Sequence, residues 1–178
     1  MTLRRMAAVV TIGLGVATGV VFADNLRGLR AELSGYQEIP VLSTTGSGSF
    51  SAQISQDESQ VDWQLSYQDT ESPVQQAHIH FAARSINGPI IVFLCSNLGN
   101  GPAGTQLCPA APATVEGTFT AVDVLAGGAA QGLEAGNLEE LIAAIRAGVT
   151  YANVHTTVRP GGEIRGQISA HDHRRVQD

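Results

Sequence analysis

The sequence contains no lysine. It has ten arginines and sixteen acidic residues, which gives a formal net charge of −6. A surface of that sign repels the phosphates of nucleic acids and anionic lipids. The sequence also lacks a G-x-S-x-G motif, a phosphate-binding glycine loop and a carboxylate pair that periodicity would place together. Nucleic-acid binding is therefore disfavoured, and so is a hydrolase that uses only its own side chains to cleave an organic substrate. Any enzyme here would have to work through a metal.

Cysteine is nearly absent as well, since only Cys95 and Cys108 occur, on either side of a segment rich in glycine, proline and asparagine. In an oxidising compartment the two thiols are expected to form a disulfide that closes this loop and stabilises the fold by about 3 kcal/mol. The alternatives are two free thiols or a copper–thiolate site.

Long hydrophobic runs are confined to the N-terminus. Arg4 and Arg5 precede an uncharged apolar segment, 7–22, and small residues at Val21 and Ala23 fit a cleavage site. We predict a cleaved signal peptide (1–23), a β-domain (24–170) and a disordered polar tail (171–178). The mature chain would be periplasmic or secreted, with a net charge of −8 and no membrane span; the alternative is a retained anchor helix.

Alternation of apolar and polar residues over short segments dominates the remaining sequence. It predicts strands near 50–54, 61–67, 76–81, 115–121, 151–158 and 163–169, and the apolar run 90–94 predicts a strand buried on both faces. One short helix is expected between Asn137, as its N-terminal cap, and Gly148. The expected fold is mainly β: an antiparallel Greek-key sandwich or barrel with one capping helix.

Three histidines form the candidate site. His78 and His80 share one face of the predicted strand 76–81, about 7 Å apart at Cα, and His155 shares a face of strand 151–158 with Tyr151 and Asn153. If those strands pair or face each other, three imidazoles can bind one ion. Copper is the first choice and zinc the second, because neutral imidazole suits both and copper binds more tightly. The alternatives are a metal-free hydrogen-bonded network and a surface that binds a partner.

Two charged residues on strand 163–169 are expected on the same face as the histidines. Glu163 and Arg165 alternate there with core-facing residues, so they are candidates to orient a ligand imidazole or to balance charge behind the ligands. The alternative is an ordinary cross-strand pair.

Several of these segments together resemble the CHRD domain, a family named for the module repeated in chordin and found alone in exported bacterial proteins. The matching motifs are Gly35-Tyr-Gln-Glu-Ile-Pro40, Ala77-His-Ile-His80, Asn87-Gly-Pro89, Asn153-Val-His-Thr156 and Pro160-Gly-Gly-Glu-Ile-Arg-Gly-Gln167. The resemblance implies an exported β-domain. In chordin, such modules belong to an extracellular protein that binds bone morphogenetic proteins.

The sequence is also similar, in fewer features, to copper–zinc superoxide dismutases, which share a His-x-His strand, a later histidine and a glycine-rich C-terminal strand with an arginine. A metal-bridging histidine and a separate zinc cluster are missing here.

From the three histidines and the resemblance to the CHRD domain, we expect a copper-binding exported domain for sequestration, delivery or detoxification. A metal-free protein-interaction module and a dismutase-like copper enzyme are the alternatives.

Overall fold

The computed structural model describes residues 28–170, so the predicted signal peptide and polar tail lie outside the described residues. This part of the chain folds into nine strands and one α-helix, with three short 3-10 turns between them. The strands and the helix, in chain order, are β1 (Gly28–Ser34), β2 (Ser47–Ile54), β3 (Gln60–Gln68), β4 (Val74–Phe81), β5 (Ile90–Ser96), β6 (Ala113–Thr120), α1 (Leu138–Arg146), β7 (Thr150–Thr156), β8 (Ile164–Gln167) and β9 (Ser169–Ala170).

All the strands belong to one antiparallel sheet, in the order β5-β4-β7-β8-β1-β2-β3-β6, with β9 also paired to β1. The gap between the outer strands β5 and β6 is bridged by Gln106, whose Nε2 donates to Leu94 O at 3.2 Å and to Glu116 O at 3.0 Å. The sheet is therefore a nearly closed barrel, which confirms the predicted mainly β antiparallel fold.

Strand β3 shows how the alternation in the sequence produces the barrel. Its odd-numbered apolar residues, Val61 to Tyr67, are buried in the core, while Asp62 and Gln64 are exposed on the outer face. Strands β2 and β3 pair in continuous register from Ser47↔Gln68 to Ile54↔Val61. The two predicted strands therefore form an antiparallel hairpin.

The α-helix begins and ends where the sequence predicts, but the capping box that the spacing of Asn137 and Glu140 favours is only half formed. Asn137 Oδ1 accepts from the backbone N–H of Glu140 at 3.1 Å, whereas the Glu140 carboxylate accepts from Glu134 N and does not complete a capping box on Asn137. Gly148 follows the helix with φ +69°, in the left-handed region that favours glycine. Within residues 28–170 no helix has the length and apolar character of a membrane span.

The link between β7 and β8 covers 157–163 and is longer than the four residues that separate the predicted strands 151–158 and 163–169. β7 ends at Thr156, where the backbone groups of Thr156 and Arg159 bond to each other in a turn. Beyond it, Thr157 N donates to Pro73 O and Val158 N donates to Ser72 Oγ, both in the segment before β4. The predicted disulfide is present: Cys95 at the end of β5 is bonded to Cys108, with the two Cα atoms 5.1 Å apart.

Candidate metal centre

Strands β4 and β7 are direct antiparallel neighbours, and their register brings the three histidines together. His80 pairs with Tyr151, His78 pairs with Asn153, and Gln76 pairs with His155. Because side chains two positions apart share a face, His155 lies diagonally across from His78 on the face that also carries His80. The strand pairing on which a three-histidine site depends is therefore present.

The three imidazoles form one compact cluster. Taking one candidate nitrogen from each ring, all three lie within 4.8 Å of one another. His78 Nδ1 is 3.2 Å from His155 Nε2. The ring centroids are 5.5 Å apart for His78 and His80, and 5.0 Å apart for His78 and His155. The cluster therefore has the size of a site for a single ion.

Backbone carbonyls fix two of the rings. His80 Nδ1 lies 2.9 Å from Gly88 O, and His155 Nδ1 lies 3.0 Å from Pro160 O. A carbonyl oxygen only accepts hydrogen bonds, so each Nδ1 carries the proton and each Nε2 keeps its lone pair. Histidine ligands of metals typically have this arrangement. Sequence reasoning missed both carbonyls, although both belong to motifs that it matched to the CHRD domain.

The cluster is buried, and this burial keeps the rings uncharged. His78 is completely buried, and only 7% of His80 and 6% of His155 are exposed. Burial lowers the pKa of His80 to about 4 and that of His78 to about 2, the latter with a further contribution from the neighbouring histidines; burial also lowers the pKa of His155. Within residues 28–170, Nε2 of His78 and Nε2 of His80 have no hydrogen-bond partner.

Aromatic and cationic groups pack around the rings. Phe93 contacts His78 edge-on, with the centroids 4.4 Å apart, and Tyr151 stacks on His80 with the centroids 4.7 Å apart and an interplanar angle of 3°. Arg165 Cζ lies 3.5 Å from the centroid of Tyr151. Since β7 lies between β4 and β8, Tyr151 separates Arg165 from His80.

The two charged residues predicted behind the ligands, Glu163 and Arg165, lie in surroundings that differ from each other. Arg165 reaches the cluster only through Tyr151, and its terminal nitrogens donate to Asn87 Oδ1 and Ile86 O. Glu163 is fully buried, and its carboxylate accepts from Thr44 Oγ1, Glu71 N and Thr156 Oγ1. Within the described residues, Glu163 makes no hydrogen bond to an imidazole.

A buried carboxylate that sequence reasoning missed lies behind Asn153, which pairs with His78. Asn153 Nδ2 donates to Glu38 Oε1 at 2.7 Å and to Ile164 O at 2.9 Å. Burial raises the pKa of Glu38 to about 7, although the Asn153 hydrogen bond and the Arg165 charge oppose this shift. The available signal was the position of Glu38 inside the motif 35–40.

Comparison with known protein families agrees with these motifs. No curated protein matches the sequence. The family model described as the CHRD domain matches residues 29–168, which include every strand from β2 to β8 and all three histidines. The chain therefore belongs to the CHRD domain family.

Proposed function

We propose that this CHRD domain binds one copper ion through imidazole nitrogens of His78, His80 and His155, with zinc as the second choice of metal. The observation that carries the proposal is the cluster itself: three candidate nitrogens within 4.8 Å of one another on three buried side chains. The role we assign to the bound ion is sequestration, delivery or detoxification in the periplasm or outside the cell.

The distances suit a shared ion after a small movement of the rings. Two nitrogens bound tetrahedrally to one ion with bonds of about 2.0–2.1 Å lie about 3.4 Å apart. The 3.2 Å separation of His78 Nδ1 and His155 Nε2 is already close to that value. Bringing all three nitrogens to the same spacing requires a ring movement on the order of 1 Å, because the largest separation is 4.8 Å.

The protonation states also suit metal binding. The pKa values of the three histidines are lowered, and this keeps the rings neutral near pH 7. An ion therefore does not have to displace a proton from a charged imidazolium. Leaving a buried polar nitrogen without a partner costs about 1–3 kcal/mol. Nε2 of His80 is in this position within the described residues, and a bond from this nitrogen to the metal would remove that cost.

The chemistry of the ligand set favours copper over other divalent ions. Three neutral nitrogens without a carboxylate do not suit magnesium or calcium, which prefer oxygen. Among first-row divalent ions, copper has the highest affinity for nitrogen sites, and an exported protein would encounter it in an oxidising compartment. The Cys95–Cys108 disulfide and the family are consistent with export.

The proposal is tested by elemental analysis of the full chain purified from the cell envelope, followed by competition titrations with copper and zinc. We expect one copper per chain, tighter copper than zinc binding, and at least a tenfold loss of copper affinity in His78→Ala, His80→Ala and His155→Ala. Circular dichroism establishes that each variant remains folded.

The matched control is the double variant His171→Ala/His173→Ala, which removes the two remaining histidines of the sequence and should leave copper binding unchanged. If the three single variants bind copper as tightly as the wild type while the tail variant loses it, the proposed site is wrong. Purification of the wild type with zinc alone would replace copper by the second choice.

A further inference from the structure

A groove on the opposite side of Tyr151 from His80 gathers the unpaired arginines of the described chain. Of the five arginines in residues 28–170, Arg146 and Arg159 form ion pairs with Glu58 and Glu71. The other three, Arg30, Arg84 and Arg165, have no acidic group within ion-pair distance among the described residues. All three line two adjoining cavities of about 430 and 450 Å³ that share Gln37, Arg84 and Gln167.

The larger cavity combines positive charge with apolar surface. Arg165, only 1% exposed, lies at its floor, and Arg84 is an exposed residue of its wall. The other wall comes from segment 36–41, where Tyr36 and Val41 are exposed, at 69% and 68%. We call this cavity the arginine groove. Its volume lies in the range of small-molecule sites, about 300–1,000 Å³.

The positive charges in the groove are only partly compensated. Burial is the main cause that lowers the pKa of Arg165, and the charge of the nearby Arg84 lowers it further. The groove also contains Glu38, whose charge favours protonated Arg165, but burial raises the pKa of Glu38 to about 7, so this carboxyl is partly protonated at neutral pH. Incompletely balanced arginine charges of this kind attract an anion locally, although the chain as a whole has a net charge of −6.

Arg165 makes two side-chain hydrogen bonds within the described residues and has further N–H donors for a ligand. A guanidinium has five N–H donors in a planar fork that matches a carboxylate. The bonds to Asn87 Oδ1 and Ile86 O hold the two terminal nitrogens in position. Within residues 28–170, Arg84 makes only one hydrogen bond, a long one of 3.5 Å to Gln37 Oε1. Its side chain is therefore available to a ligand.

We infer that the arginine groove binds an organic carboxylate that carries an apolar group. The carboxylate lies between Arg84 and Arg165, and the apolar group packs on Tyr36 and Val41. Two sources share this chemistry: a free small molecule, and the C-terminal residue of a peptide with an apolar side chain. The site does not depend on the proposed copper site, because Tyr151 separates the groove from His80.

The test uses NMR titration of the ¹⁵N-labelled full chain after metal removal with EDTA, so that a carboxylate cannot bind through a metal. The probes are 3-phenylpropionate and the peptide Ala-Ala-Phe with a free C-terminus, each compared with its uncharged amide. We expect at least one of the two carboxylates to shift amide signals of segment 36–41 and of Arg84, and its amide to bind at least tenfold more weakly. The carboxylate that binds more tightly identifies the source.

Arg84→Ala should weaken binding of the carboxylate about tenfold or more, since a charge-assisted hydrogen bond is lost. The matched control is Arg146→Ala, another exposed arginine on a different surface, which should bind like the wild type. Equal binding of acid and amide, no effect of Arg84→Ala, or inorganic phosphate binding as tightly as the carboxylates would each overturn the inference.

Discussion

His78 Nδ1 lies 3.2 Å from His155 Nε2, although the two residues are 77 positions apart in the sequence. The contact depends on the antiparallel pairing of β4 with β7, in which Gln76 and not His78 is the direct partner of His155. Because the two rings meet diagonally, His80 still lies beside His78 on β4, and Asn153 still lies beside His155 on β7, all on the same face. The same register thus builds the candidate metal centre and buries three titratable rings together.

The first prediction concerns the pH dependence of stability in the metal-free protein. The histidine pKa is about 6.5 in the unfolded chain, but burial lowers it to about 4 for His80 and lower still for His78. Between pH 6.5 and 4 the unfolded chain therefore binds more protons. The stabilisation is complete above pH 6.5 and is lost as the pH falls, by up to about 1.4 kcal/mol per pH unit for each histidine.

Urea denaturation of EDTA-treated protein between pH 7 and pH 4.5 measures this slope. His80→Gln removes one of the titrating rings and should give a shallower decline than the wild type over the same pH range. An identical decline in the variant would show that His80 does not contribute to the slope.

The second prediction concerns Glu38, for which the pH dependence has the opposite sign. Burial raises its folded pKa from 4.5 to about 7, so the protonated form is favoured in the folded state and stability is lost as the pH rises from 4.5 through 7. Glu38→Gln stays neutral and keeps an oxygen for Asn153 Nδ2. We expect the variant to exceed the wild type in unfolding free energy by about 1–3 kcal/mol at pH 8 and to match it near pH 4.5.

The control for Glu38→Gln is Glu116→Gln, which changes an exposed carboxylate on β6 and should alter stability by less than about 0.5 kcal/mol at both pH values. A loss of stability in Glu38→Gln at pH 8 would mean that the charge of Glu38 is needed beside Arg165.

The sequence was sufficient to predict the elements whose periodicity is local. The alternation in 61–67 predicted β3, and Asn137 and Gly148 predicted both ends of the helix. The three histidines were identifiable because strand periodicity places each on a known face. Their meeting was not predictable, since it depends on the pairing of β4 with β7, and strand pairing is set by the whole barrel.

The sequence predicted that other groups support the histidines, but it could not predict which residues make those contacts. A carbonyl that fixes an imidazole has no side-chain signature, so Gly88 and Pro160 could be recognised only as turn residues. Glu38 lies 115 positions from Asn153, and nothing in its local pattern indicates burial. Glu163 and Arg165 were expected beside the imidazoles because alternation assigns a face, but it does not assign a hydrogen-bond partner.

The third prediction is that the Cys95–Cys108 disulfide stabilises the barrel beside the gap between β5 and β6. The bond closes the loop that contains Gln106, whose side chain bridges the two strands. Cys95→Ala/Cys108→Ala should lose about 3 kcal/mol of unfolding free energy in the chain-entropy model. Denaturation with and without dithiothreitol provides the control: the reductant should lower the stability of the wild type and leave the variant unchanged.

The fourth prediction compares two adjacent glycines in the link between β7 and β8. Gly162 has φ +126°, and a Cβ there would lie 2.6 Å from Glu38 Oε1 and 2.8 Å from Asn153 Nδ2, the two groups that share a hydrogen bond. A Cβ at Gly161 would meet no described atom within 4 Å. Gly162→Ala should therefore lose about 2–3 kcal/mol, from backbone strain and from the broken Glu38–Asn153 bond.

Gly161→Ala is the matched control and should change the unfolding free energy by less than about 0.5 kcal/mol. Urea denaturation at pH 7 measures both variants, and the NMR signal of the Asn153 side-chain amide reports the hydrogen bond directly. That signal should shift in Gly162→Ala and stay in place in Gly161→Ala. Equal stability losses in the two variants would show that loop entropy, and not the contact with Glu38 and Asn153, determines the requirement for glycine.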